Sequence, residues 1–202
     1  MKKDARDRLI ETATVLFARK GFHAVSIREL AQAANVNSAL ISYYFKSKEG
    51  LYQEVLEEQF VLIAQMLKQI EEQPPVSPTE GITMYAENIA GIHQQRPYLT
   101  RFMISELMNP TPCCEGVIKK YLSRLFGFLH TVFEEGIARG EFKGKLKHDF
   151  AIVSLAGIMN FFFIAKPLFQ EWTSAGEPVG EAYTAQALDT FLNGILRGKE
   201  DE

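Results

Sequence analysis

The sequence predicts an all-α protein, and three observations carry that prediction. Apolar residues recur at intervals of three and four along most of the chain, without the alternation of a strand and without an internal repeat. Glycine and proline punctuate these stretches at helical lengths: Gly21, the Pro74, Pro75 and Pro78 group, Pro97, the Pro110 and Pro112 pair, Gly140 with Gly144, and Gly176 with Pro178. A chain of 202 residues that is 47% hydrophobic can also bury a substantial core, which suits a helical globule better than a disordered or fibrous chain.

The first helix is expected over about Asp4 to Lys20, burying Leu9, Ile10, Ala13, Leu16 and Phe17 and ending at Gly21. A second opens at Ser26. Its hydroxyl can accept from the Glu29 backbone N–H while the Glu29 carboxylate reaches back, a capping box. Ile27, Leu30, Ala31 and Ala34 then give one apolar face, and Asn35 tolerates the left-handed backbone that ends the helix. Val36 can plug the corner. Asn37 or Ser38 can cap a short third helix in which Ile41 and Phe45 point inward, leaving Ser38, Ser42 and Tyr43 on or near the outer face. Two short helices on a tight turn, with a small polar outer face on the second, suit entry into a DNA major groove. Tyr43, Tyr44, Lys46 and Lys48 stand where they can grip the flanking phosphates.

These residues carry a family resemblance. ATVLFARKGF at 13–22, SIRELA at 26–31 and YYFKSKEGL at 43–51 resemble the TetR/AcrR transcriptional regulators over about the first quarter of the chain. The resemblance implies an N-terminal three-helix DNA-binding domain over 1–50 and a helical effector-binding and dimerisation domain over 51–202, joined by a connecting helix over about 47–72. It implies a ligand-responsive repressor that binds a palindromic double-stranded operator as a dimer. By the same resemblance Ser26 adds a phosphate contact at its helix N-terminus, and Lys46 and Lys48 are phosphate contacts. Two departures fall in the reading helix, Ala39 and Ser42, where the family commonly has Gly and Tyr; Asn35 replaces another common Gly. An operator sequence cannot therefore be carried over from another member.

Other readings of single residues stay open. Arg28 can reach a guanine edge or a phosphate, or be a solvated surface arginine. Leu40 packs on a thymine methyl if it faces outward and belongs to the core if it faces inward. Tyr43 is the better placed of the two tyrosines for the DNA backbone and for a base. The candidate DNA contacts are thus Ser26, Arg28, Asn37, Ser38, Ala39, Leu40, Ser42, Tyr43, Tyr44, Lys46 and Lys48.

Charge agrees with this placement. Residues 1–50 hold nine Lys/Arg against five Asp/Glu, and the remainder thirteen against twenty, so the net −3 hides a basic head and an acidic body. No apolar stretch follows the charged N-terminus as a targeting signal would require, and a cytoplasmic protein with no membrane partner is expected. Adjacent Cys113 and Cys114 cannot frame a disulfide scaffold. They can sense oxidants or bind a soft metal, yet no Cys-x-x-Cys or clustered histidine completes a site, and no metal or cofactor is expected.

Beyond the head, Ser47 can cap the connecting helix, and further helices are expected over Thr79–Gln95, Pro97–Met108, Glu115–Arg139, His148–Phe169 and Glu181–Arg197. The stretch from Phe150 to Ala165 is apolar on all sides and shorter than a usual membrane span, so it reads as a helix covered by its own domain and by a partner chain. The last helix offers Ala185, Leu188, Phe191, Leu192 and Ile195 beside it. In the resembled family these two helices of each subunit form a four-helix dimer interface, which places a homodimer contact at about 148–169 and 181–197. The alternative is that both are central helices of a monomer.

The effector side is less specific. Phe102, Phe126, His130, Phe133, Phe162 and Phe163 can line a pocket for a small apolar or aromatic effector, or simply be core. Catalytic residues are not expected: there is no phosphate-cradling glycine loop, no His-Glu-x-x-His and no nucleophile elbow. Two rival readings remain, a DNA-binding protein of this fold that answers to a protein partner, and a small-molecule carrier or enzyme whose head is only structural.

Overall fold

The computed structural model describes residues 4–169 and 179–196; Gly176, Pro178 and Arg197, used above as helix limits, lie outside the described residues. The elements are α1 (Ala5–Lys20), α2 (Ile27–Ala33), α3 (Ala39–Phe45), α4 (Lys48–Glu72), α5 (Pro78–Gln95), α6 (Leu99–Met108), a π-helical turn (Cys114–Ile118), α7 (Lys119–Ala138), α8 (His148–Phe169) and α9 (Val179–Ile195). Among the described residues an isolated bridge between Phe142 and Leu196 is the one β feature.

The chain forms two compact units, and a single cut does not separate them: the first takes residues up to Leu62 and Arg96–Tyr121, the second Ile63–Gln95 and everything from Leu122 onward. In the first unit Leu9, Ile10, Ala13 and Phe17 of α1 are buried, as the spacing predicts, while Leu16 is half-buried. Thr14 is buried instead, because its hydroxyl donates to the Ile10 carbonyl at 2.8 Å and so needs no water. The rings of Phe17, Phe22 and Tyr52 pack with centroids 4.8–5.9 Å apart.

A polar cluster sits within this apolar unit. Glu106, 2% exposed near the end of α6, accepts from the Tyr52 hydroxyl at 2.6 Å, from the Thr111 backbone N–H at 2.9 Å and from the Thr111 hydroxyl at 3.0 Å. Burial, and then the Glu106 bond, push the Tyr52 phenol well above its ordinary value, so Tyr52 stays a donor. Glu57 accepts a short hydrogen bond from the Tyr121 hydroxyl.

In the second unit α5 buries Ile82, Tyr85, Ala86, Ile89 and Ile92, and α8 buries Ile152, Leu155, Met159, Phe162 and Ala165, a stripe at helical spacing. His93 bonds through Nε2 to Asn160 Oδ1 at 2.8 Å and stacks on Phe163 with centroids 4.1 Å apart. The turn after α7 depends on two glycines. Gly140 takes φ +72°, and a Cβ on Gly136 would fall 2.1 Å from the ring of Phe142.

The opposite side of α8 is not covered by its own unit. Phe150, Val153, Phe161, Ile164 and Leu168 are 67%, 61%, 59%, 37% and 73% exposed and, with Gly157, follow one another at steps of three and four. By length and composition alone α8 could cross a membrane. The buried stripe along its other side makes it a core helix with one open apolar face.

Candidate nucleic-acid interface

The head is built by local capping. Ser26 Oγ accepts from the Glu29 N–H at 3.1 Å, which is the forward half of the expected capping box. The return half is not made: Glu29 Oε1 instead takes the Lys20 ammonium at 2.5 Å, a pairing that holds its carboxyl below the usual range and ties the end of α1 to the start of α2. Asn35 adopts φ +52°, and the Val36 N–H reaches back to the Ala31 carbonyl at 3.0 Å, so α2 closes where the left-handed residue requires. Asn37, not Ser38, supplies the side-chain cap of α3, its Oδ1 accepting from the Ala39 N–H at 2.9 Å.

Within α3 the inward pair is buried completely or nearly so, Ile41 at 0% and Phe45 at 6% exposure. Asn37, Ser38, Ala39, Ser42, Tyr43 and Lys46 are exposed, with Tyr43 at 77%. Leu40 and Tyr44 are half-buried, and the Tyr44 ring meets Tyr43 edge-on at 5.0 Å. The outer strip of α3 is therefore short, polar and tipped by a free phenol. Ser26 and Arg28 are exposed at the start of α2. Ile27, assigned by spacing to the buried face, is 40% exposed; it is the first residue of α2, ahead of the turn that Leu30, Ala31 and Ala34 bury.

Lys48 has a structural task that its position after the reading helix does not reveal. Its ammonium donates to the carbonyls of Phe22 and Val25 at 3.1 and 3.0 Å and lies 4.2 Å from the centroid of the Phe22 ring. That leaves one of three N–H groups for a phosphate. Ser47 caps α4 as expected, accepting from the Gly50 N–H at 3.1 Å. Lys46 turns the chain out of α3 with φ +69°, an uncommon conformation for a side chain with a Cβ.

The effector candidates are scattered by the fold. Phe102 is 1% exposed in the first unit. In the second unit Phe133 is fully buried against Phe142 and Phe191, Phe162 stacks on Tyr183, Phe163 stacks on His93, and Phe126 is 39% exposed. None of the six lines either of two cavities in that unit. One, of about 450 Å³, is framed by Leu67, Ile70, Pro74, Pro78, Arg124, Phe128 and Val132. The other, of about 580 Å³, lies between α5 and α9, along Ala90, Gly91, Gln94, Thr184, Ala185, Leu188 and Leu192. Cys113 is buried with Sγ 3.7 Å from the Glu49 carbonyl, and burial pushes both thiols above the ordinary range, away from thiolate reactivity.

Comparison with known proteins points the same way as the head. Residues 9–55 match the family model for bacterial regulatory proteins, tetR family. The chain is 31% identical over 143 residues, 70% of its own length and 69% of the relative's, to the Probable HTH-type transcriptional regulator YttP of Bacillus subtilis. It is 24% identical over 200 residues, 98% and 93% of the two chains, to the HTH-type transcriptional repressor KstR2 of Mycolicibacterium smegmatis. The fold matches the solved ketosteroid transcriptional regulator KstR2 of Mycobacterium tuberculosis with a TM-score of 0.76 over 98% of both chains, at 19% identity.

Proposed function

Since this chain belongs to the tetR family of bacterial regulatory proteins, its helix-turn-helix head binds DNA to regulate transcription, and we propose that it acts as a ligand-responsive dimeric repressor. The carrying observation is the exposed strip of α3, short enough and polar enough to enter a major groove, standing on the buried pair Ile41 and Phe45. Tyr43, Ser38, Ala39, Ser42 and Leu40 face base edges, with Tyr44 beside them; Ser26, Asn37, Arg28, Lys46 and the third N–H of Lys48 serve phosphates. Residues 1–50 act as the DNA head and 51–202 as the effector and dimerisation part.

One reading helix touches few base pairs, so a palindromic operator needs a second copy. The open face of α8, Phe150, Val153, Phe161, Ile164 and Leu168, supports α8 and α9 as that contact, and its apolar character is what a permanent interface requires. Names of relatives such as KstR2 favour repression over activation. A small apolar or aromatic molecule bound in residues 51–202 would favour a dimer geometry whose reading helices no longer match successive grooves, with α4 as the lever because it runs unbroken from the head. The working place of such a protein is the bacterial cytoplasm.

Footprinting on a natural operator together with sedimentation of the complex tests this reading. Two protected half-sites about one helical turn apart, filled by two chains that Phe161→Glu separates, are expected. Protection of a single half-site by one chain would contradict the dimer.

A further inference from the structure

Away from the DNA head, the fold brings together two histidines that the sequence keeps 18 positions apart. His130 lies on α7; His148 and Asp149 form the start of α8. Their donor atoms all lie within 4.8 Å of one another, and the two imidazole rings meet edge-on at 4.5 Å. Both Nε2 atoms face one oxygen: Asp149 Oδ1 is 4.0 Å from His130 Nε2 and 3.7 Å from His148 Nε2. These separations are too long for hydrogen bonds. They are slightly wider than the roughly 3.3 Å between neighbouring donors that bonds of about 2.0–2.1 Å to a tetrahedral ion imply.

We propose that His130, His148 and Asp149 bind a divalent transition-metal ion of the zinc class. The other ring nitrogen of His130 supplies an independent reason. Nδ1 faces Glu134 Oε2 at 3.4 Å, one helical turn along α7. A carboxylate behind the distal nitrogen is the arrangement that fixes the tautomer of a metal-binding histidine and aims its free lone pair at the ion. Glu134 stands on the Nδ1 side at 3.4 Å, just beyond hydrogen-bond length, so a small rotation would let it take Nδ1 and leave Nε2 for the metal. Two nitrogens and one carboxylate oxygen select zinc, cobalt, nickel or copper over magnesium or calcium, which prefer oxygen alone. Asp149 and Glu134 together offset the charge of the ion. The ligand side chains are one-third to three-quarters exposed, so small rotations about their own torsions can close the remaining gap, and a fourth position stays open to water. The ion would clasp α7 to the first turn of α8, the helix that also carries the open apolar face.

The test is titration of tag-free, chelator-stripped full-length protein with cobalt(II), followed by its visible absorption and by calorimetry, then displacement with zinc. One equivalent per chain is expected. His130→Ala and His148→Ala should abolish it, Glu134→Gln should weaken it about tenfold, and His23→Ala, a surface histidine elsewhere, should leave it unchanged. Far-ultraviolet circular dichroism of each stripped variant shows that the fold is retained. Equal binding by wild type and a His130→Ala/His148→Ala protein, equal loss with His23→Ala, or a thiolate-to-cobalt charge-transfer band assigning the ion to Cys113 and Cys114, would each overturn the proposal.

Discussion

Tyr52 donates its hydroxyl to Oε1 of Glu106 across 2.6 Å, joining the beginning of α4 to the end of α6 inside one compact unit. Both groups are almost completely shielded from water, so neither can exchange its partner for solvent. Tyr52→Phe is therefore expected to lower stability by about 1–3 kcal/mol, read as a shift of the urea midpoint without a change in slope. A midpoint equal to that of the wild type would mean that the Glu106 carboxylate is satisfied by Thr111 alone.

Tyr43, within the reading helix, and Lys48, three residues after its end, have different duties. Tyr43→Ala removes an exposed phenol and should weaken operator binding by about 1–3 kcal/mol with unfolding unchanged. Lys48→Ala releases the Phe22 and Val25 carbonyls and should lower thermal stability as well as DNA affinity. Paired binding isotherms and melting curves distinguish the two. Equal melting temperatures for Lys48→Ala and wild type would refute its structural task.

Gly136 and Gly127 predict opposite signs on one helix. Alanine at 136 would stand 2.1 Å from two carbons of the buried Phe142 ring, which puts the overpacking strain at the upper end of about 1–3 kcal/mol, above the roughly 1 kcal/mol gain in helix propensity. Alanine at 127 meets nothing within 4 Å and should stabilise. Calorimetric melting of the two variants should fall on either side of the wild type; a stabilised Gly136→Ala would contradict the packing around Phe142.

His93 gives the protein a pH dependence of known sign. Burial pushes its pKa below the ordinary histidine value, and the Asn160 bond only partly opposes this. The unfolded chain then binds more protons than the folded one. The His93 contribution is complete above its unfolded pKa, about 6.5, and is lost as pH falls from there through the depressed folded value. Urea midpoints at about pH 7.5 and 5.5 should drop more steeply for wild type than for His93→Gln. The same drop in both would remove His93 as the cause.

Much of the fold is legible in the sequence because punctuation and period agree. The start of α8 at His148 falls where the pattern predicts, and α5 starts one residue earlier than expected because Pro78 fits the first helical position, where no N–H is needed. The stretch read as one helix from Glu115 opens instead as a π turn, which no composition signal marks. Within the head, Ser26, Asn35 and Asn37 act locally, so local sequence suffices to foresee them. Lys48 holding the Phe22 and Val25 carbonyls, Lys20 drawing Glu29 out of its capping box, and His130 meeting His148 are all tertiary pairings. Spacing along the chain carries no information about them until the helices are packed.

Binding of the purified protein to DNA upstream of its own gene, measured across a salt series beside Tyr43→Ala, tests the central claim most directly. Tight, sequence-selective binding that weakens steeply with salt and is weaker by about 1–3 kcal/mol in the variant is the predicted result. Binding that is weak, indifferent to sequence and the same in both proteins would contradict the assignment of α3 as the reading helix.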